Sequence, residues 1–585
     1  MKFLFPLVIL CIAITEYTYA QEMHPKTSLE FVQDALLEGR ISIDDAMDLK
    51  IKVLKGETLP EEFRSPTPIK CGFGIVAEVH EYLKTHPEKK VGLQKKAMQS
   101  VYDHSFTAKG GTRIFRINYD VSGPDAVPSL DANSNSIPDW VEETGLAFER
   151  SYLLEVDTLG YREPLSFSAF GHYDIYIVDL SNSYGYTQDV SQVTSNPDTY
   201  TSEIYVENDY SEGFYTHGYD ALRVTCGHEF FHAIQFSYNF RESDAWYYEV
   251  SSTWMEDVTY DNVNDYYAYL PSFFGAPETS LDSFSGLWPY GAAVWNHMIE
   301  KKYGRDAIKK SWEYMPSRNA ITSIDGAIKS ISSSNLSKTF SEFAVWDYYT
   351  AGRADSIAYF PEALHYPKIK LLSNRAILDT MIQRTLPTLA ANYYNFYVAS
   401  DTAYCEIKFQ AAESNSYFDV YTVEYNKATG KNIVVNHGGS SDFAINNLLH
   451  GDTLLFLVVN KVTDYTINGN YSYTLRLTLK QQVIDTTYHF HFYPSPFVIK
   501  SGNEKMNFVF SLGKTTKMEF MIYTVSGKLI RKINFGELSP GNYDGTSGLF
   551  WDGKDSHGHF VPGGVYIYQF TGKGFKKTGK IAVVR

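Results

Sequence analysis

Apolar positions recur at two different periods along this chain, and the places where the period changes divide it. TSLEFVQDALLEG (residues 27–39) opens on a Thr/Ser cap candidate, spaces its apolar residues helically and stops at Gly39. ISIDDAMDLKIKVLKG repeats the pattern up to Gly56, and GIVAEVHEYLKTH is a third helical stretch. The segment 21–105 therefore reads as helical. It is either a propeptide, as often precedes a secreted hydrolase, or a structural N-terminal subdomain. From 106 the period drops to two: RIFRINYD, YDIYIVDL and SEIYVEN alternate as strands do, and helical spacing returns from Asp220. This mixed region runs to 375. Short strand-like runs such as CEIKFQA, DTLLFLVVN and YSYTLRLTL fill 380–484 between Asn, Gly, Ser and Asp, as in a sandwich. A second β domain fills 488–585.

The opening residues need a separate reading. Met1-Lys2 precedes FLFPLVILCIAI, and a polar stretch ends at Tyr19-Ala20-Gln21. A charged start, a short apolar core and a small residue make residues 1–20 a secretory signal peptide, cut near Ala20. The run is shorter than the ~20 residues of a membrane span. No comparable run follows, so no integral membrane segment is expected after signal removal. The chain is expected to be secreted, extracellular or held at the cell surface.

Composition adds limits. A chain of 585 residues is too long for one core. A net charge of −16 argues against nucleic acid as a partner. Of four Cys, Cys11 leaves with the signal, and Cys71, Cys226 and Cys405 are too few and too far apart for a disulfide framework.

The chemistry concentrates in VTCGHEFFHAIQFSYN (residues 224–239). Residues four apart on a helix share a face, so His228 and His232 can turn their rings to one ion. Glu229 lies beside them, placed to take a proton from an activated water. Catalytic zinc takes three protein ligands and a water. A third histidine six residues on is absent, since position 238 is Tyr. Glu249 follows His232 by 17 residues, and Glu256 lies two helical turns further along the same face. Gly227 inside this helix suggests close approach by another element.

HEFFHAIQ followed by WYYEVSSTWMED resembles the gluzincin metallopeptidases, whose second helix reads W-x-x-E-G-x-A-x-x-x-E. The resemblance makes His228, His232 and Glu249 zinc ligands, Glu229 the general base, and Glu256 a carboxylate that orients a ligating histidine. The chain departs in a slightly shorter gap to the third ligand, and in Val250 and Ser252 where that pattern has Gly and Ala. LWPYGAAVWNHMIEKKYG resembles the segment whose tyrosine stabilises the oxyanion; Tyr290 is the match. YDIYIVDLSNSYGYT, the zinc helix and SKTFSEFAVWDYYTAGR together resemble a family of large secreted bacterial proteins classed as metalloproteases. That resemblance covers 106–375.

SLDANSNSIPDWVEE places Asp131, Asn133, Asn135, Ile137, Asp139 and Glu142 at positions 1, 3, 5, 7, 9 and 12 of a calcium loop, though Ser136 replaces the usual Gly. The same residues also make a good turn. FYPSPF, FWDGKDSHGHFVPGGVYIYQF and KKTGKIAVVR resemble the C-terminal sorting domains of type IX secretion cargo and the immunoglobulin-like domain of flagellar hook-capping proteins. The partner this implies is an outer-membrane secretion machinery.

The expected fold is multidomain: a helical N-terminal segment, an α+β zincin-like catalytic domain and two all-β sandwiches. The expected function is a zinc metalloendopeptidase acting on protein or peptide, with SEIYVEN as the edge strand on which an extended substrate pairs. Two rivals stand beside it: a surface adhesion protein on an inactive zincin scaffold, and a zinc hydrolase of cell-wall peptides. If residues 21–105 are a propeptide, Cys71 could fill the open zinc position. A buried thiol or a bridge to Cys226 is its bland alternative.

Overall fold

A computed structural model describes residues 25–585 except 87–96, 194–197, 212, 400–402, 427–430, 449, 465–468, 482–489, 514 and 573–574. The signal-peptide assignment (1–20) therefore lies outside the described residues. Two compact units are formed. The first runs to Lys370 and adds 386–392 and 459–470; the second takes 371–385, 393–458 and 471–585.

The first unit opens with helices α1 (Ser28–Leu37), α2 (Ile43–Leu54) and α3 (Phe73–Thr85). Thr27 and Ser42 cap α1 and α2 in reciprocal boxes with Glu30 and Asp45. Gly39 and Gly56, both at positive φ, close the two helices where the sequence places their ends. The helical segment is shorter than expected. Strand β1 (Ser100–Ala108) begins inside it, because SVYDHSFTA alternates and pairs along its whole length with β2 (Gly111–Tyr119).

A five-stranded sheet follows. With β3 (Tyr173–Val178), β4 (Gly185–Gln192) and β5 (Tyr200–Glu207), its order is β1-β2-β3-β5-β4. The expectation for SEIYVEN fails here. It forms β5, which lies inside the sheet between β3 and β4, and every residue of β5 is buried. The edge strands are β1 and β4, and the polar GYTQDVSQ of β4 carries a weaker strand signal.

Helices α4 (Asp139–Tyr152), α5 (Leu165–Phe170), α6 (Gly218–Gln235) and α7 (Ala245–Thr259) complete the part of the unit that matters for the site. Helix α6 is buried from Ala221 to Gln235 save Arg223, its polar Thr225, His228, Glu229, His232 and Gln235 included. Asp220 is not its cap. The helix starts at Gly218, and Asp220 sits in the first turn facing Arg223 at 3.3 Å.

The second unit is almost entirely β. Its middle region holds β6 (Asn374–Ala376), β7 (Thr380–Pro387), β8 (Ala390–Tyr397), β9 (Ala403–Ala411), β10 (Phe418–Asn426), β11 (Lys431–Asn436), β12 (Asp442–Leu448), β13 (Thr453–Asn460) and β14 (Asn470–Gln481). They form the sheets β11-β10-β13-β8-β6 and β12-β9-β14-β7. Phe418 of one sheet packs on Phe409 and Tyr473 of the other, which makes the pair a sandwich. Residues 490–585 form two further sheets around one core of Phe497, Phe508, Phe520, Trp551 and Phe570. Cys71, Cys226 and Cys405 are buried and free, so no bridge to Cys226 forms.

Candidate metal centre

Helices α6 and α7 bring the predicted ligands to one point. The Nε2 atoms of His228 and His232 lie 3.1 Å apart. Glu249 Oε2 lies 3.1 Å from His228 Nε2 and 3.5 Å from His232 Nε2. The opposite ring nitrogens are held from behind. His228 Nδ1 donates to Glu256 Oε1 at 2.6 Å, and His232 Nδ1 donates to Gln235 Oε1 at 2.7 Å. The Gln235 amide is fixed in that sense, because its nitrogen donates to the Tyr248 carbonyl at 3.1 Å and to Ser252 Oγ at 3.2 Å. These contacts place a proton on Nδ1 of each ring, so each Nε2 faces the shared point and offers its lone pair there once the ring is neutral.

A fourth donor stands at that point. Cys71 Sγ lies 3.5 Å from His232 Nε2, and one ligand atom each from Cys71, His228, His232 and Glu249 fall within 4.8 Å of one another. Zinc with nitrogen and oxygen ligands at 2.0–2.1 Å spaces them about 3.3 Å apart, and sulfur at 2.3 Å stands about 3.6 Å from nitrogen. The spacings among His228, His232 and Glu249, and that of Cys71 to His232, are close to those tetrahedral edges, while Cys71 lies within 4.8 Å of the other two donors. Glu249 Oε1 is buried and accepts no hydrogen bond among the described residues, as suits a carboxylate awaiting a cation. The donor set fits zinc.

The electrostatics agree. Burial pulls His228 down, but Glu249 and Glu256 outweigh it and lift its pKa to about 9. Burial pushes Glu249 up, but the two imidazoles outweigh it and hold it at about 2. The pocket thus favours positive charge among its carboxylates. Burial, with Glu229 and Glu249 nearby, pushes the Cys71 thiol well up; a divalent cation reverses that sign, since a coordinating thiol is deprotonated outright.

Glu229 is fully buried next to the cluster, and its Oε2 accepts from Thr187 Oγ1 of β4 at 2.8 Å. Burial raises its pKa. Tyr290 lies in the short helix Trp288–Gly291, its ring 6.3 Å from that of His228. Its hydroxyl donates to the Cys71 carbonyl at 3.4 Å. A cavity of about 520 Å³ opens beside Cys71 and Tyr290, with Glu30 and Gln33 of α1 in its wall.

Sequence reasoning missed four contributors. Gln235 sits three residues after His232, a spacing that places it on the same helical face. Ser252, one of the departures from the gluzincin pattern, sets its hydroxyl 3.3 Å from His232 Nδ1. Thr187 and Lys70 come from distant segments. Lys70 Nζ donates to Glu256 Oε2 at 2.8 Å and Asp265 Oδ2 at 2.6 Å. Gly227 does face α7, but a Cβ there would meet Thr259 at 3.6 Å, an ordinary contact. The approach does not require glycine.

The six residues of the calcium reading span an exposed to half-buried loop and the first turn of α4, which holds Asp139 and Glu142. Asp131 accepts from the Asn135 and Ser136 N–H groups, and Asp139 from that of Ala132. The amides of Asn133 and Asn135 both donate to Glu142 at 2.8 Å. Ile137 N–H binds Asn135 Oδ1, so the loop closes on its own hydrogen bonds.

No family model matches the chain, and no curated protein matches it. It is similar to PorZ, an essential surface component of the type-IX secretion system of Porphyromonas gingivalis, at 15% identity and a TM-score of 0.13, over 19% of this chain and 14% of that one. It is similar to dimeric latent PorU from the same organism at 14% identity and a TM-score of 0.14, over 37% and 19%. FlgD from P. aeruginosa matches at 20% identity and a TM-score of 0.12, over 16% and 71%. At these TM-scores no assignment of fold or function rests on them. Among the described residues, no helix is long and apolar enough to cross a membrane.

Proposed function

We propose that this chain is a secreted zinc-dependent metalloendopeptidase with a zincin-like catalytic domain. One observation carries the reading: Nε2 of His228, Nε2 of His232 and Glu249 Oε2 converge at tetrahedral spacing while Glu229 is buried alongside. A zinc site serving structure alone has no need of that last carboxylate.

His228, His232 and Glu249 would hold zinc, which supplies Lewis acidity and lowers the pKa of a bound water. Glu229, oriented by Thr187, takes the proton of the attacking water and passes it to the leaving amine. Glu256 and Gln235 keep both imidazoles in the ligating tautomer. The Tyr290 hydroxyl already meets a carbonyl in the cleft, the group it would face as an oxyanion develops. Export is supported by the sequence of residues 1–20, and a type IX sorting role by the resemblance of residues 488–585. Calcium at the Asp131–Glu142 loop would brace the loop and take no part in hydrolysis.

The test is casein hydrolysis by the zinc-loaded full chain and by its Cys71→Ala form, whose cleft lacks the thiol. Adding Glu229→Gln to whichever hydrolyses should abolish turnover and keep the metal. Zinc bound in both forms with hydrolysis in neither would end the peptidase reading.

A further inference from the structure

The segment around Cys71 is built into the site from several sides. Residues 69–72 run beside residues 182–185, which lead into the edge strand β4. Ile69 pairs with Ser183 in parallel sense; its N–H binds the Asn182 carbonyl at 2.8 Å, and its carbonyl accepts from Tyr184 at 3.0 Å. Gly72 N–H then binds the Gly185 carbonyl at 2.9 Å. An extended substrate would need this same edge. Lys70, 1% exposed, anchors the segment to Glu256, the carboxylate behind His228. The Phe73 ring stacks on His232 at 4.1 Å and 3°. Glycines flank the contact closely: a Cβ at Gly72 would stand 2.4 Å from Leu54 Cδ2 and one at Gly74 2.4 Å from Phe284 Cζ, so those side-chain tips would have to move. The sulfur itself accepts the Phe73 N–H at 3.2 Å, as ligating thiolates commonly do.

We propose that Cys71 is the fourth ligand of this centre and that residues 27–85 are a built-in inhibitor holding the enzyme latent. The proposal rests on the zinc reading above. The Cys71 sulfur takes the place the attacking water needs, and residues 69–72 take the edge the substrate needs. Activation requires no redox step. The thiolate leaves, takes up a proton from solvent, and water enters in its stead. A segment seated in about 99 of 100 molecules holds turnover roughly 100-fold down.

Two measurements test this on the full chain. Cobalt replaces zinc, and the near-ultraviolet spectrum is read for thiolate-to-cobalt charge transfer in wild type and in Cys71→Ser. The band should be present in wild type and absent in the variant, with the visible cobalt bands kept in both. Visible bands without the charge-transfer band in wild type would overturn the ligand assignment and leave the zinc reading intact. No cobalt or zinc uptake by wild type would remove the zinc reading itself, and this proposal with it. Casein hydrolysis is then compared among the zinc-loaded chains. Cys71→Ser and Cys71→Ala should exceed wild type by roughly 100-fold. Equal turnover in wild type and both variants, with zinc bound in each, would overturn latency.

Discussion

Replacing Lys70 by Met gives the sharpest prediction about how the N-terminal segment is held. The ammonium is 1% exposed and lies 2.8 Å from Glu256 and 2.6 Å from Asp265, themselves 2% and 0% exposed. Burial pulls its pKa down, but Asp265 and Glu256 outweigh burial and hold it above the ordinary lysine value. With an effective dielectric of ~20, each contact is a gross attraction of about 6 kcal/mol. Desolvation of the ammonium offsets much of that, and removing one partner of such a group typically costs about 3–5 kcal/mol. Met keeps the length of the side chain and removes the ammonium from two buried carboxylates, of which Glu256 retains His228. The assay is urea unfolding followed by Trp fluorescence. Near pH 7 the variant should be less stable by about 3–5 kcal/mol. Adding Asp265→Asn to Lys70→Met should recover part of the loss. A single variant within about 1 kcal/mol of wild type near pH 7 would refute the reasoning, since an isolated surface pair is worth no more.

Glu256→Gln keeps the contact to His228 but weakens it, so zinc affinity should fall about 10–100-fold in chelator competition, and unchanged affinity would remove Glu256 from the site. Glu207 is buried, and desolvation lifts its carboxyl to about 8 despite the N–H of Leu180. Between roughly pH 4.3 and that value the folded chain binds the extra proton, so stability should fall as pH rises, by up to about 5 kcal/mol. Glu207→Gln should flatten that slope in thermal melts at successive pH values; parallel curves would contradict it. Gly227→Ala should stabilise the first unit by about 0.5–1 kcal/mol in urea, since the methyl meets only an ordinary contact; a loss instead would mean that α7 needs the bare backbone.

What the sequence revealed was local. The helical spacing of His228 and His232, and of Glu249 and Glu256, turns each pair to one side, and the capping boxes at Thr27 and Ser42 fixed two helix starts. Alternation exposed strands such as β9, whose inward residues are buried in turn. What it hid was long-range. Cys71 meets His232 across 161 positions, and Lys70 meets Glu256 across 186, and no spacing rule reaches that far. The rank of β5 in the sheet failed for the same reason: alternation marks a strand, while strand order depends on partners elsewhere. Tyr205 stacks on Tyr176 of β3 and Tyr186 of β4, so polar-looking positions of β5 end up covered. Gln235 was within reach of helical spacing, but a glutamine carries little ligand signal of its own.

The most direct test of the central claim is metal content by plasma mass spectrometry on the purified chain, wild type beside Glu249→Ala. The account predicts about one zinc per chain in wild type and a fraction more readily stripped by chelator in the variant, which keeps Cys71, His228 and His232 of the four donors. Wild-type protein that holds no zinc after reconstitution would contradict it.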